Sequence, residues 1–168
     1  MARKTIKYPN GLVQCLKATY ERGTILCAKS KAGVNGMAIG WIHFGWAWGR
    51  PCCAVMVRPS RYTFKIIEKA DSFTVNVLPK RRQAAVDLFG TKSGRDMDKF
   101  AATGLVPVKA RSVNSVYIKQ AELVVECRIS FKQPMNSKLI SAQYVKSCYP
   151  KGDHHTLYLG EITAIHRA

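Results

Sequence analysis

The stretch Thr156-Leu157-Tyr158-Leu159-Gly160-Glu161-Ile162-Thr163-Ala164-Ile165-His166 decides the fold. In an extended chain successive side chains point to opposite faces, so Leu157, Leu159, Glu161 and Thr163 oppose Tyr158, Ile162 and Ala164. Both faces carry apolar groups, and such a strand needs cover on both sides, as in a barrel that also dimerises. Outward from it, runs rich in β-branched and aromatic residues recur with turn residues between them. They predict strands over residues 23–28, 37–44, 52–57, 72–78, 116–119, 122–131, 138–147 and 156–166.

Helical period is found only in the middle of the chain, over residues 63–69, 82–89 and 95–102, the last stopping before Gly104 as a C-terminal cap. Helices this short cannot alternate regularly with parallel strands. The expected architecture is mainly β: an antiparallel barrel with two or three short inserted helices. Residues 1–168 read as a single domain, since no repeat, low-complexity segment or linker interrupts them.

Composition narrows the class further. Apolar residues make up 47% of the 168, enough for a core, while Arg50, Arg58, Lys65 and Glu68 interrupt any window long enough to span a membrane. Met1-Ala2-Arg3-Lys4 is not followed by the apolar core of a signal peptide, so a cytoplasmic location is expected. The six cysteines lie mostly inside apolar runs and read as buried free thiols, and none is at zinc spacing with the four histidines, so no metal is expected. A net charge of +17, from 27 Lys and Arg against 10 Asp and Glu, favours anionic partners. The bases are scattered and accompany no nucleic-acid motif, which ranks a basic nucleic-acid-binding barrel below other readings.

Four stretches carry chemistry. Val57-Arg58-Pro59-Ser60-Arg61-Tyr62-Thr63 leaves a strand and enters a helix, bringing two guanidiniums, hydroxyls and free amides together as a phosphate dianion requires; a plain helix-capping turn has the same look. Phe89-Gly90-Thr91-Lys92-Ser93-Gly94-Arg95-Asp96 combines small residues with charge, although it is no nucleoside-triphosphate loop. In Asn35-Gly36-Met37-Ala38-Ile39-Gly40-Trp41-Ile42-His43-Phe44-Gly45-Trp46-Ala47-Trp48-Gly49 small residues alternate with large flat ones. A planar heterocycle could lie there against exposed backbone; aromatic core or dimer packing is the other reading. Finally, His154 and His155 at the mouth of the last strand point to opposite faces, so at most one addresses a given site. No Ser-His-acid or Cys-His spacing and no acid pair for hydrolysis is evident.

Taken together, these stretches resemble the flavin reductase-like family with the FMN-binding split barrel, which includes flavoredoxin-type proteins. The resemblance runs over roughly residues 10–166. It implies an antiparallel Greek-key split β-barrel and a homodimer with flavin mononucleotide (FMN) near the subunit interface. The isoalloxazine ring is expected along Met37, Ala38, Ile39 and Gly40, and the phosphate on Arg58, Ser60, Arg61 and Thr63. Lys92 and Ser93 would reach the phosphate or ribityl chain, Asn76 the ring, and Asn35, Trp41 and Tyr62 complete the cofactor-binding set. Counting back from Gly160 in the family's Gly-Asp-His pattern selects His155 as the catalytic histidine, whereas counting from Gly152 selects His154. The implied activity is electron transfer from NADH or NADPH through flavin to an acceptor. A flavoredoxin-like carrier without a nicotinamide site is the alternative, and the positive charge would suit NADPH or an acidic redox protein.

Overall fold

The computed structural model describes residues 3–168. Its elements in chain order are β1 (Lys4–Ile6), α1 (Leu12–Arg22), β2 (Thr24–Ser30), β3 (Gly33–Ile39), β4 (Ile42–Ala47), β5 (Arg50–Val57), α2 (Phe64–Ile67) and β6 (Ser72–Val77). They continue with α3 (Gln83–Thr91), α4 (Lys99–Thr103), β7 (Pro107–Lys109), β8 (Val116–Ile118), β9 (Leu123–Pro134), α5 (Ala142–Cys148) and β10 (Thr156–Arg167). Among the described residues no helix is long and apolar enough to cross a membrane.

The main sheet is antiparallel throughout, in the order β3-β2-β6-β9-β10-β5-β4. The strands at its two ends, β3 and β4, are consecutive in the chain and joined by Gly40 and Trp41 alone. Laid flat, seven strands would separate their outer edges by roughly 29 Å at about 4.8 Å per strand. The three steps from Ile39 to Ile42 span about 11 Å at most. The sheet therefore curls until its edges meet at this joint, which produces a split barrel.

The strand of residues 156–166 lies inside this sheet and has three partner strands. β10 pairs with β9 along one edge; along the other, Thr156–Glu161 pair with β5 and Ile165–Arg167 with β1. Its register against β9 shifts between Leu159 and Gly160, and a Cβ at Gly160 would stand 2.9 Å from both the Cys127 Cβ and the Phe73 ring. Only glycine leaves room there for those side chains in the barrel interior.

Both faces of the sheet are covered where the alternation requires it. On β2, Leu26 and Ala28 enter the barrel core, while Ile25 and Cys27 face a second apolar cluster with Val86 and Phe89 of α3 and Phe100 of α4. Five of the six free cysteines are buried in these clusters or beside them; Cys148 is half-exposed.

Three expectations are corrected. Residues 37–44 form two strands, not one, because the chain must turn at Gly40-Trp41 to change sheet edge. Residues 138–147 form a 3-10 turn at Ser137–Leu139, an extended step at Ile140 and Ser141, and then α5, on which Tyr144 and Cys148 lie four residues apart on one helix face. There are five α-helices among the described residues instead of two or three. The unforeseen α1 buries Leu12, Cys15, Ala18 and Thr19 but leaves Val13, Leu16 and Tyr20 exposed, so apolar groups on both sides blurred its period. The helix at Lys99–Thr103 does end at Gly104, which adopts the left-handed conformation with φ 63°.

One buried polar network ties the chain's beginning to its end. Glu126 and His166 are fully buried; Arg3 Nε–H donates to His166 Nδ1 at 2.7 Å, leaving His166 Nε2–H to donate to Glu126 at 2.8 Å. The amides of Arg111 and Ser112 and the Ser112 hydroxyl also donate to this carboxylate. Burial alone would raise its pKa, but these hydrogen bonds together hold it down at about 2. A folded-state pKa below the unfolded one, about 4.3, gives stability that is present above pH 4.3 and lost as pH falls towards 2. Thermal unfolding should therefore show a midpoint that drops between pH 4 and 2, and Glu126→Gln should be less stable at pH 7 by about 1–3 kcal/mol with a flatter acid limb.

Candidate functional site

The curl brings two chain segments to the free edge of β3. From the end of β5, residues 58–63 turn into α2, with Arg61 N–H donating to Arg58 O at 3.0 Å. Buried Thr63 anchors this turn, because its Oγ1 accepts a 2.9 Å hydrogen bond from Asn35 Nδ2 on β3. From the other side comes the segment after α3, where a Cβ on Gly94 would lie 2.7 Å from both Asn35 Oδ1 and the Tyr62 ring. That close approach requires glycine.

Between these segments lies a cavity of ≈120 Å³, lined among others by Asn35, Ala38, Arg61, Thr63, Lys92 and Ser93. Arg61, Lys92, Arg95 and Lys99 line it, and no Asp or Glu does. Lys99 is 3% exposed and forms no salt bridge among the described residues; its Nζ donates to Phe89 O at 3.3 Å. Arg61 Nη1 stands 3.5 Å from Gly90 O. Phe89 and Gly90 belong to the last turn of α3, whose exposed carbonyls are a natural staging point for cations. Burial lowers the Lys99 pKa to about 8, with the nearby Cys27 thiol opposing and Arg61 reinforcing the shift. A buried ammonium without a carboxylate, facing a cavity among three further cations, is the chemistry of an anion site.

A second cavity of ≈240 Å³ continues along β3, lined by Met37, Ala38, Ile39, Gly40, Trp41, Met56, Arg58, Arg61 and His155. Met37, Ala38 and Arg61 line both cavities, so the two form one groove. Taken together they reach the lower end of the roughly 300–1,000 Å³ usual for small-molecule sites. Among the described residues β3 pairs only with β2, which leaves every second main-chain N–H and C=O on its other edge without a sheet partner there. Trp41 packs on His155 with ring centroids 4.6 Å apart, and His155 Nδ1 shares a 2.7 Å hydrogen bond with the Tyr149 hydroxyl. Burial, reinforced by the Arg58 and Arg61 charges and opposed by Asp153, lowers the His155 pKa to about 4. At neutral pH this end of the groove carries an uncharged imidazole.

Most of the residues expected from sequence meet here: Asn35, Met37, Ala38, Ile39, Gly40, Trp41, Ser60, Arg61, Tyr62, Thr63, Lys92, Ser93 and His155. His154 instead lies on the Tyr149 ring, 4.7 Å away, and lines neither cavity. Arg58 stands apart from the cation-rich end: its Nη2 donates to Cys148 O at 2.8 Å and Nη1 to Asp153 O at 3.4 Å, so it braces β5 against the end of α5. The Ser60 hydroxyl and amide both donate to the Asp153 carboxylate, at 2.6 and 3.0 Å. Asn76 lines neither cavity. It is fully buried, donating to Ile25 O and Thr74 Oγ1 and accepting from Ile118 N, which makes it a strut between β6, β2 and β8.

Sequence reasoning missed Lys99. Its signal was a cation in the first turn of a helix capped by Asp98, the end where the backbone dipole disfavours positive charge.

Residues 19–168 match the family model described as flavin reductase like domain. The chain belongs to this family. Flavoredoxin from Methanosarcina acetivorans has 24% sequence identity and a TM-score of 0.70, over 98% of this chain and 76% of that one. Flavoredoxin of Desulfovibrio vulgaris (Miyazaki F) has 22% identity and a TM-score of 0.69, over 87% and 69%. A split-barrel protein of the flavin reductase type from Shewanella frigidimarina NCIMB 400 has 15% identity and a TM-score of 0.68, over 96% and 76%. These likenesses establish the split-barrel fold of this flavin reductase-like chain. No curated protein matches it.

The His155 environment is open to direct measurement. Its imidazole should titrate by NMR with a midpoint near 4, and Arg58→Met, which removes a neighbouring positive charge, should move that midpoint upward. A midpoint near 6.5 in the unmodified protein would mean a solvated ring.

Proposed function

We propose that the groove binds FMN and that the chain passes electrons from NADH or NADPH through it to an acceptor. The observation that carries this reading is the junction of two unlike ends: a cavity with four cations and no carboxylate continues, through Met37, Ala38 and Arg61, into one walled by Trp41 and His155. A phosphate dianion on a flat heterocycle needs both chemistries, at one molecule's length from each other. The donor set fits the group. Arg61, Lys92, Ser93 and buried Lys99 would hold the phosphate, with Arg95 beside them, and the free edge of β3 would meet the polar rim of the ring.

FMN, when bound, supplies hydride acceptance from the reduced nicotinamide; the chain supplies position and electrostatics. Thr63 and Asn35 keep the phosphate turn fixed against β3, so its donors lose little freedom on binding. Trp41 and His155 close one side of the ring end to water. Since His155 is neutral and tied to Tyr149, the positive charges at that end are Arg58 and Arg61.

The same reading includes a homodimer. Trp46 and Trp48 are 64% and 69% exposed, and Trp48 lies 6.4 Å from half-exposed Phe131, an apolar patch that a lone barrel leaves to water. Leu157 and Leu159 on the outer face of β10 add to it. Light scattering should give twice the 18.7 kDa chain mass at micromolar concentration; a monomer there removes the dimer from the proposal.

Calorimetry tests the cofactor. FMN should bind more tightly than about 100 μM, equivalent to about 5.5 kcal/mol. Arg61→Ala should weaken FMN about 10- to 150-fold and leave riboflavin, which lacks the phosphate, nearly unchanged. Equal weakening of both ligands would show that Arg61 shapes the turn and does not read the phosphate.

A further inference from the structure

On the far side of Trp41 from the cation-rich cavity lies a trough of ≈550 Å³ that the groove does not use. Trp41, Ile42 and Met56 form one wall, and Ile140, Tyr144 and Cys148 form the other. It adjoins the ring end of the groove, since Gly40, Trp41 and Met56 line both. None of its lining residues is Asp, Glu, Lys or Arg, in a chain whose net charge is +17. The neighbouring cavity along β3 is lined by arginines. Tyr149 separates the two, with its hydroxyl on His155 and its ring edge-on to Trp41 at 6.3 Å.

The second wall is itself incomplete. α5 is seven residues long and buries none of them, and a helix of that length is not held by its own hydrogen bonds. Arg58 caps its last carbonyl, that of Cys148, and the side chains of Ile140, just before the helix, and of Tyr144 and Cys148 on it line the trough. Tyr144 is 56% exposed. A guest in the trough would complete the packing of both walls at once. The volume is ample for a bicyclic aromatic molecule, and a lining in which His43 is the one basic side chain and no Asp, Glu, Lys or Arg takes part selects against an ionised one.

We propose that this trough binds a small, uncharged aromatic molecule and presents it beside the ring end of the groove. Its role as a second-substrate site rests on the flavin reading; the binding does not. Trp41 is the shared wall, so an occupant would stand next to whatever lies along Met37 to Gly40. The net charge of +17 favours anions over the protein as a whole, so selectivity for a neutral ligand would have to come from the trough itself.

The probes are 1-naphthol and its charged counterpart 1-naphthalenesulfonate, titrated calorimetrically into the full chain without FMN. One saturable naphthol site per chain is expected, with the sulfonate at least tenfold weaker despite its favourable charge. Ile140→Asp, which sets a carboxylate in the trough wall, should weaken naphthol at least tenfold. Leu139→Asp, one residue away, 85% exposed and outside the lining, should leave it unchanged and controls for folding. Saturation with FMN should alter naphthol affinity less than about threefold, since the sites adjoin and do not overlap. Absence of saturable binding, preference for the sulfonate, indifference to Ile140→Asp or direct competition with FMN would each overturn the proposal. So would loss of naphthol binding in step with self-association, which would make the trough a contact between copies. Failure of FMN to bind, with the naphthol site intact, would sink only the flavin reading.

Discussion

Two residues, Gly40 and Trp41, bridge the opposite edges of a seven-strand sheet, and the rest of the molecule follows from that short tether. Because it spans about 11 Å at most, the sheet cannot lie open. Curling sends alternate side chains of β2, β6, β9 and β10 into one core and turns the outer face of β2 towards α3 and α4. The same tether keeps β3 an edge strand, with main-chain groups free where the groove passes. Trp41, as half of the tether, becomes the wall shared by groove and trough. A barrel closed by a longer loop would place neither side chains nor backbone so close to the seam.

Charge is organised more locally than a net value of +17 suggests. Arg61 and Lys99 reach the last carbonyls of α3 from two different segments, and Lys99 does so from inside the protein. Burying a lysine without a counter-ion is unfavourable, and its lowered pKa reports that cost. An incoming dianion would relieve it. The ring end has the opposite arrangement, a histidine kept neutral by burial and by two arginines. Among the described residues the other ion pairs, as between Lys17 and Glu21, are largely exposed and contribute little, so apart from the buried Glu126–His166 pair the groove is where charge is concentrated.

Much of this could be read in the sequence because strands that alternate under turn signals leave a local trace. The eleven residues 156–166 announced a two-faced strand, and it is an interior strand of the sheet with three partners. Most groove residues were legible because, His155 apart, they cluster in three short runs. What failed did so for physical reasons. The break at Gly40-Trp41 depends on which sheet edge the chain must reach next, a non-local fact. Residues 138–147 read as a strand because Ile140, Tyr144 and Val145 have β-type side chains, and α5, which starts among them, buries no side chain that would mark a helical face. Asn76 and Lys99 have surroundings that no local pattern reveals: a polar residue in a strand that acts as a strut, and a cation after a helix cap that lines the cavity.

The most direct measurement is a crystal structure of the chain grown with FMN. The proposal requires the phosphate between Arg61, Lys92 and Lys99 and the ring along Met37 to Trp41, with His155 at its side. A phosphate held elsewhere, or a groove that stays empty at FMN concentrations well above the calorimetric dissociation constant, would contradict it.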